Sequence, residues 1–157
     1  MQRRTAGELQ FSKTIKRISW DLCLIQAETM SFNKKIILAL KKASSFLKDS
    51  MAEEDEDFIA NRVWYVAAEL EYALFFFLMT IEDELDKSKW KSDPKLRKAK
   101  VDTILAAVEK LVNKAERCIE NDELLDSYKW THVARNCLLD LQKHFAKKKR
   151  EKLNKKR

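Results

Sequence analysis

Three residues near the C-terminal end of the chain, His132, Arg135 and His144, have side chains that suggest catalysis. Histidine transfers protons near neutral pH, and the arginine guanidinium binds phosphate or carboxylate groups. All three lie in a stretch whose apolar residues recur at helical spacing, so we expect them on one helix. If they acted together, an anionic substrate such as RNA would suit them.

Arg135 and Asn136 resemble the start of the motif of HEPN-type helical ribonucleases, in which a histidine follows the arginine by about one and a half helical turns. That resemblance would imply ribonuclease chemistry through Arg135 and His144. However, Asp140 and Leu141 occupy the positions where the histidine would fall, and His144 comes nine residues after Arg135. Because the motif is not satisfied, we predict that the protein is not an enzyme.

Metal and nucleotide chemistry lack the residues that they need. A di-iron bundle places a histidine three residues after a glutamate, whereas Lys129 precedes His132 and Leu141 precedes His144 at that distance. The cysteines form no Cys-x-x-Cys pair for zinc. With Gly7 as its only glycine, the chain has neither a glycine-rich phosphate loop nor a Gly-x-Ser-x-Gly elbow. We expect no cofactor and no metal site.

The cysteines and the apolar segments bear on the cellular compartment. Cys23, Cys118 and Cys137 are odd in number and far apart, which indicates free thiols in a reducing environment. Met1–Gly7 is polar and basic and does not begin a signal peptide. The apolar stretch Tyr72–Ile81 is about half the length of a membrane span. We expect a soluble cytoplasmic protein, or a nuclear one if the organism is eukaryotic, without a membrane partner.

The positive charge of the chain is concentrated at its C-terminal end. The formal net charge is +7 over 157 residues. Residues 143–157 contain seven lysines, two arginines and one glutamate, whereas the other residues contain 23 basic and 24 acidic side chains. Any electrostatic function is therefore expected to be separable from folding.

This basic end of the chain has three interpretations. Its cations can neutralise phosphates and release counterions, which predicts salt-dependent binding to RNA or DNA. Alternatively, they complement the negative end of a fraying helix, or they form a nuclear-import signal. The predicted contacts with nucleic acid in the tail are Lys147, Lys148, Lys149, Arg150, Lys155, Lys156 and Arg157.

A second basic cluster surrounds Trp90. Basic side chains around an aromatic ring are what single-stranded nucleic acid binds, by phosphate attraction and base stacking. The alternative is that Trp90 folds back over the end of the helices while the lysines keep the loop hydrated. The basic residues of this Lys87–Lys100 region are Lys87, Lys89, Lys91, Lys95, Arg97, Lys98 and Lys100. The predicted contacts in it are Lys87, Lys89, Trp90, Lys91, Lys95 and Arg97.

Apolar residues recur at intervals of three and four residues along most of the chain, the spacing of one helix face. In the first such stretch they are Phe11, Ile15, Ile18, Leu22 and Ile25. Five stretches predict helices over Glu8–Thr29, Ser31–Asp49, Asp55–Asp86, Pro94–Glu120 and from about Leu125 to Phe145. With a single glycine and a single proline, a β-rich fold is disfavoured.

Local signals mark the starts of two of these helices. Asp93 and Pro94 form an N-cap followed by the proline that the first helical turn tolerates best. The carboxylates of residues 53–57 complement the positive end of the third helix. The alternative for this acidic run is that it docks a basic partner or the protein's own tail.

The long third helix has more aromatic residues than a narrow core stripe requires. Apolar residues wrap its whole circumference from Ala73 to Met79. This predicts a helix with neighbours on several sides or one at a subunit interface. The surplus aromatic side chains are Trp64, Tyr65, Tyr72, Phe75 and Phe76.

Together these patterns predict an all-α, single-domain antiparallel bundle of about five helices. Residues 1–145 form the bundle, and residues 146–157 form a basic tail, either flexible or a fraying helix end. We expect a small helical subunit or accessory factor that contacts nucleic acid through the tail and the Lys87–Lys100 region. The alternative is a protein-interaction module, homodimeric or part of a larger complex, that uses the Tyr72–Met79 region.

Overall fold

The computed structural model describes Lys16 and residues 32–157, and this part of the chain is helical and contains no strand. The α-helices are α1 (residues 32–51), α2 (Glu56–Thr80), α3 (Val101–Glu120) and α4 (Leu124–Lys155). Short 3-10 helices occupy Lys87–Lys89 and Pro94–Lys98. The all-α class is confirmed for the described residues. Ser31 and the helix predicted over Glu8–Thr29 lie outside them, apart from Lys16.

The four helices share one hydrophobic core, and most of the predicted inner faces point into it. Tyr128 on α4 is among the largest side chains that are fully buried. Leu125 was expected in the core but is 48% exposed, and Leu124 packs against the core instead. The buried predicted positions include Ile36, Leu40, Ala43, Leu47, Val63, Val66, Leu70, Ala73, Phe77, Ile104, Leu105, Val108, Val112, Ala115, Cys137, Leu138 and Leu141.

Helices α1 and α4 both run antiparallel to α2. At the beginning of α1, Phe32 lies 5.4 Å from Phe76 near the end of α2, measured between ring centroids. At the beginning of α4, the Tyr128 ring lies 5.4 Å from that of Phe77. Near the other end of α4, Lys148 reaches the start of α2. The end of α2 is therefore flanked by the beginnings of both neighbours.

Helix α3 is also antiparallel to α4, because a tight turn joins them and Ser127 Oγ donates to the Ala115 carbonyl at 2.7 Å. Helices α2 and α3 consequently run in the same direction, and the prediction of a purely antiparallel bundle is wrong for this pair. The reason is the connection over residues 81–100. It crosses the length of the bundle, as long connections do in some four-helix bundles.

The two predicted helix boundaries on either side of the connection between α2 and α3 are wrong. Helix α2 ends at Thr80 and not at Asp86, because the carboxylates of residues 82–84 oppose the negative end of the helix dipole. Asp93 and Pro94 do cap a helix, but it is the 3-10 helix Pro94–Lys98. The backbone then turns extended at Ala99 and Lys100, so that α3 starts only at Val101.

Two predictions concern the N-terminal end of α2 and the C-terminal end of α4. Asp55 is the N-cap of α2 and accepts a hydrogen bond from the Asp57 N–H at 3.0 Å, which confirms the predicted helix start. Helix α4 continues without interruption to Lys155, so the helix end predicted near Phe145, where the apolar periodicity fades, is wrong. Residues 146–157 are exposed throughout. The basic tail is thus a helical extension of α4.

Helix α2 is long and apolar enough to cross a membrane, judged by length and composition alone. A core helix of a helical bundle meets the same criterion, and 44% of the most apolar window of α2 is buried. The packing of α2 against α1 and α4 accounts for one of its apolar faces. Its other face is exposed.

Candidate nucleic-acid interface

The connection between α2 and α3 places part of the Lys87–Lys100 region beside the C-terminal half of α4. A groove of about 410 Å³ lies between the Pro94–Lys98 segment, the start of α3 and α4. Arg97 and Lys98 lie on one side of this groove, and Lys143 and Lys147 lie on the other. We call it the basic groove. Its other lining residues are Ser92, Leu96, Ala99, Val101, Ile104, Cys137, Asp140, Leu141 and His144.

The basic groove combines an apolar floor with a cationic rim. Leu96, Ala99 and Val101 are half-buried, whereas the four rim cations are exposed. Asp140 supplies one opposing charge, and its carboxylate lies 3.8 Å from Lys143 Nζ. A shallower depression of about 300 Å³ adjoins the groove and adds Lys91. The rim therefore keeps a net positive charge and can bind a polyanion.

Trp90 does not line the basic groove. Its ring is half-buried and packs edge-on against Tyr128 and His132, with centroid distances of 5.4 and 5.6 Å. Asn136 Nδ2 also donates to the Trp90 carbonyl oxygen at 3.3 Å. Trp90 is therefore folded over the helices, as the alternative interpretation of the sequence had it, and is not an exposed platform for base stacking. In this position Trp90 anchors the loop to α4.

The predicted loop cations are divided between three environments. Lys91 and Arg97 lie at the basic groove and the depression beside it. Lys87 Nζ lies 5.3 Å from the centroid of the buried Tyr128 ring. Lys89 and Lys95 are exposed but line none of these depressions.

The predicted tail cations lie on different sides of α4. Lys147 faces the basic groove. Lys148 Nζ is 2.7 Å from Glu56 Oε2, and this hydrogen bond lowers the pKa of the Glu56 carboxyl group. Lys149 lines a second groove on the α2 side. The ion pair agrees with the alternative that the acidic run docks the protein's own tail. Arg150, Lys155, Lys156 and Arg157 are exposed towards the end of the chain.

The set of predicted contact residues did not include three basic side chains of the groove: Lys98, Lys143 and His144. A signal for the last two was present in the sequence. Asp140, Lys143, His144 and Lys147 recur at the spacing of one helix face. Lys98 could not be assigned from spacing, because the extended residues that follow it decide where it lies.

Arg135 and His144 are not brought together. Nine residues of α-helix correspond to about two and a half turns, which places them on opposite sides of α4. Arg135 Nη1 pairs with Glu71 Oε1 of α2 at 3.3 Å, whereas His144 lines the basic groove. Arg135 Nε is buried without a hydrogen-bond partner. The arginine connects two helices in this structure.

The thiols of the described residues are buried. Burial raises the pKa of Cys118, and it raises that of Cys137 to about 11, although Cys137 borders the basic groove. A thiol in this state is a poor nucleophile, because the thiolate is the reactive form. Among residues 32–157 and Lys16, the structure contains no cluster of three histidine, cysteine or acidic side chains that could hold a metal ion.

The half-buried His132 should make stability depend on pH. Burial, followed by the charges of Arg135 and Lys87, lowers the pKa of His132 from its ordinary value of 6.5. The unfolded chain therefore takes up a proton at a pH where the folded protein does not, and the free energy of unfolding falls as the pH drops below 6.5. We expect His132→Gln to remove this decrease in the free energy of unfolding, measured by urea unfolding between about pH 7 and about pH 5.

The matched control for this prediction is His144→Gln, since His144 is exposed on the same helix. It should keep the pH dependence of the parent protein. An unchanged pH dependence in His132→Gln would contradict the assignment of this effect to His132.

The fold and the site define a class of protein, an all-α helical protein with a basic groove between its crossover connection and its last helix. No family model matches the chain, and neither the curated proteins nor the solved structures include a significant match.

Proposed function

We propose that the protein is a non-enzymatic helical subunit or accessory factor that contacts RNA or DNA electrostatically. Its contact surface is the basic groove together with the exposed basic end of α4. The observation that supports this proposal is the meeting of two distant basic segments at one groove, Arg97 and Lys98 from the loop with Lys143 and Lys147 from α4. The proposed location is the cytoplasm or the nucleus.

The physical basis is the attraction between the rim cations and phosphate oxygens. Each phosphate neutralised releases counterions, so that affinity falls as salt rises. The half-buried floor around Leu96 and Val101 can accept the apolar face of a sugar or base. Contacts between cations and phosphates carry no sequence information, so the proposed binding is weakly dependent on sequence.

A variant with four glutamines at Arg97, Lys98, Lys143 and Lys147 tests this proposal. At about 0.1 M salt each lost phosphate contact weakens binding by roughly five- to eightfold. We therefore expect a loss of about 10²-fold or more in affinity for fluorescently labelled RNA or DNA. Anisotropy titrations over a series of salt concentrations should also show a shallower salt dependence.

The matched control replaces four exposed lysines of α1 by glutamine, which changes the net charge by the same amount. It should retain most of the affinity, because these side chains lie away from the groove. Equal losses in both variants would show that only net charge matters, and this result would contradict a localised site. The control positions are Lys34, Lys35, Lys41 and Lys42.

The second candidate function is a protein-interaction module, and a specific observation favours it. The outer face of α2 exposes large apolar side chains, including Tyr72 at 48%, Phe75 at 55% and Met79 at 58%. Such a surface is typical of protein interfaces. Under this hypothesis the purified protein is a dimer or requires a larger complex. Light scattering at high concentration distinguishes it from a monomer that binds nucleic acid.

A further inference from the structure

The exposed face of α2 has the spacing of a helix-packing seam. Tyr65, Ala68, Tyr72, Phe75 and Met79 follow one another at intervals of three, four, three and four residues. All five are exposed, although α2 buries another apolar face against α1 and α4. We call these five residues the α2 stripe. A seam of this kind is complete only when a second helix packs on it.

We propose that the α2 stripe is covered by residues 8–29 of the same chain. This segment has a complementary stripe, Phe11, Ile15, Ile18, Leu22 and Ile25, at intervals of four, three, four and three residues. In both stripes the last position follows the first by 14 residues. Lys16 is the one residue of the segment that the structure describes, and it is helical and exposed. This agrees with the proposal, because Lys16 lies between Ile15 and Ile18 in sequence but not on the helix face that they share.

The short link between residues 8–29 and α1 places this segment near the α2 stripe. Only residues 30 and 31 separate its end from residue 32, the first of the described part of α1. Phe32 lies beside Phe76, and Phe76 contacts both Tyr72 and Phe75 of the stripe, at 4.8 and 5.4 Å between centroids. A short turn makes neighbouring helices antiparallel. The segment would therefore return along α1 and run parallel to α2.

The register follows from this entry point. With residue 29 near the end of α2, the segment lies beside α2 with Ile15 level with Tyr65, Ile18 with Ala68 and Leu22 with Tyr72. In this arrangement the three- and four-residue steps of the two stripes coincide layer by layer, as in parallel helix packing. The stripe is then part of the fold, and the second candidate function loses its exposed surface.

Disulfide formation between engineered cysteines tests the proposal in the full chain. The test pair is Ile18→Cys with Ala68→Cys, and the control pair is Lys16→Cys with Ala68→Cys, both with Cys23→Ser. Ile18 and Lys16 are two residues apart and point to nearly opposite sides of a helix. We expect the test pair to form an intramolecular disulfide under mild oxidation, with a yield at least about 10-fold above the control.

The reactivity of the single Ala68→Cys variant towards an alkylating reagent gives a second measurement. Slow alkylation that is independent of protein concentration agrees with cover by the same chain. Protection that increases with concentration, or disulfides between two chains, would assign the stripe to a second copy and overturn the proposal. Rapid alkylation with equal disulfide yields in both pairs would also overturn it, because the stripe would then be open. None of these outcomes depends on nucleic-acid binding.

Discussion

Removing residues 146–157 should eliminate most of the salt-sensitive binding to RNA or DNA. These residues contain eight basic side chains and one acidic side chain, and without them the formal net charge of the chain falls from +7 to zero. One of the lost cations, Lys147, belongs to the basic groove. If three or more phosphate contacts are lost, affinity at about 0.1 M salt falls by about 10²-fold or more.

The truncated protein should still fold, because residues 146–157 are exposed and add nothing to the core. They contact α2 through the ion pair of Lys148 with Glu56, whose side chains are 46% and 38% exposed. An exposed pair of this kind contributes roughly 0–1 kcal/mol to stability. Thermal unfolding followed by circular dichroism would show a transition close to that of the full chain.

A full-length variant with glutamine at the same eight basic positions separates charge from helix length. It should lose affinity to the same extent as the truncation and keep the helix content of the parent protein. Undiminished binding by either protein would contradict the proposed function. Undiminished binding by the glutamine variant alone would show that the helical extension acts through its length and not through its charge.

Tyr128→Ala should cause a large loss of stability. The ring is 2% exposed and lies between Phe77 of α2 and Trp90 of the crossover connection, each 5.4 Å away between centroids. Removing a buried aromatic ring costs about 3–5 kcal/mol, because apolar contacts are lost and a cavity remains. Urea unfolding of the variant and the parent protein measures the difference directly.

Leu153→Ala is the matched control, since Leu153 is an apolar residue of the same helix that is 57% exposed. It should change the free energy of unfolding by no more than about 0.5 kcal/mol. Tyr128→Ala should also loosen the loop, because Trp90 loses one of its ring partners, and Trp fluorescence would report this change. A loss of less than about 1 kcal/mol in Tyr128→Ala would contradict the described packing.

The helices were predictable where apolar spacing is regular and a cap is present. The stripe from Ile36 to Leu47 and the cap at Asp55 were sufficient, because both are local features of the sequence. The C-terminal end of α2 and the start of α3 were not predicted correctly. Apolar residues such as Leu85 and Leu96 continue the helical spacing, but they pack against the core from the connection between the helices.

The candidate site was predictable only in part for the same reason. The sequence identified the excess of cations, and it placed Lys147 and Lys148 side by side. It did not show that Lys147 faces the basic groove while Lys148, on another side of α4, pairs with Glu56 of α2. Adjacent helical residues point about 100° apart, and the neighbour that each side chain meets depends on the packing of other helices.

The sequence by itself determined that this protein is helical and that its positive charge lies at one end of the chain, because helical spacing and charge are properties of the residues themselves. The tertiary structure decided the direction of α3. Since α3 is parallel to α2, residues 81–100 must cross the length of the bundle, and this crossing brings Arg97 and Lys98 to Lys143 and Lys147. The proximity of these two basic segments depends on contacts between residues far apart in the chain, so it could not be predicted from any local sequence pattern.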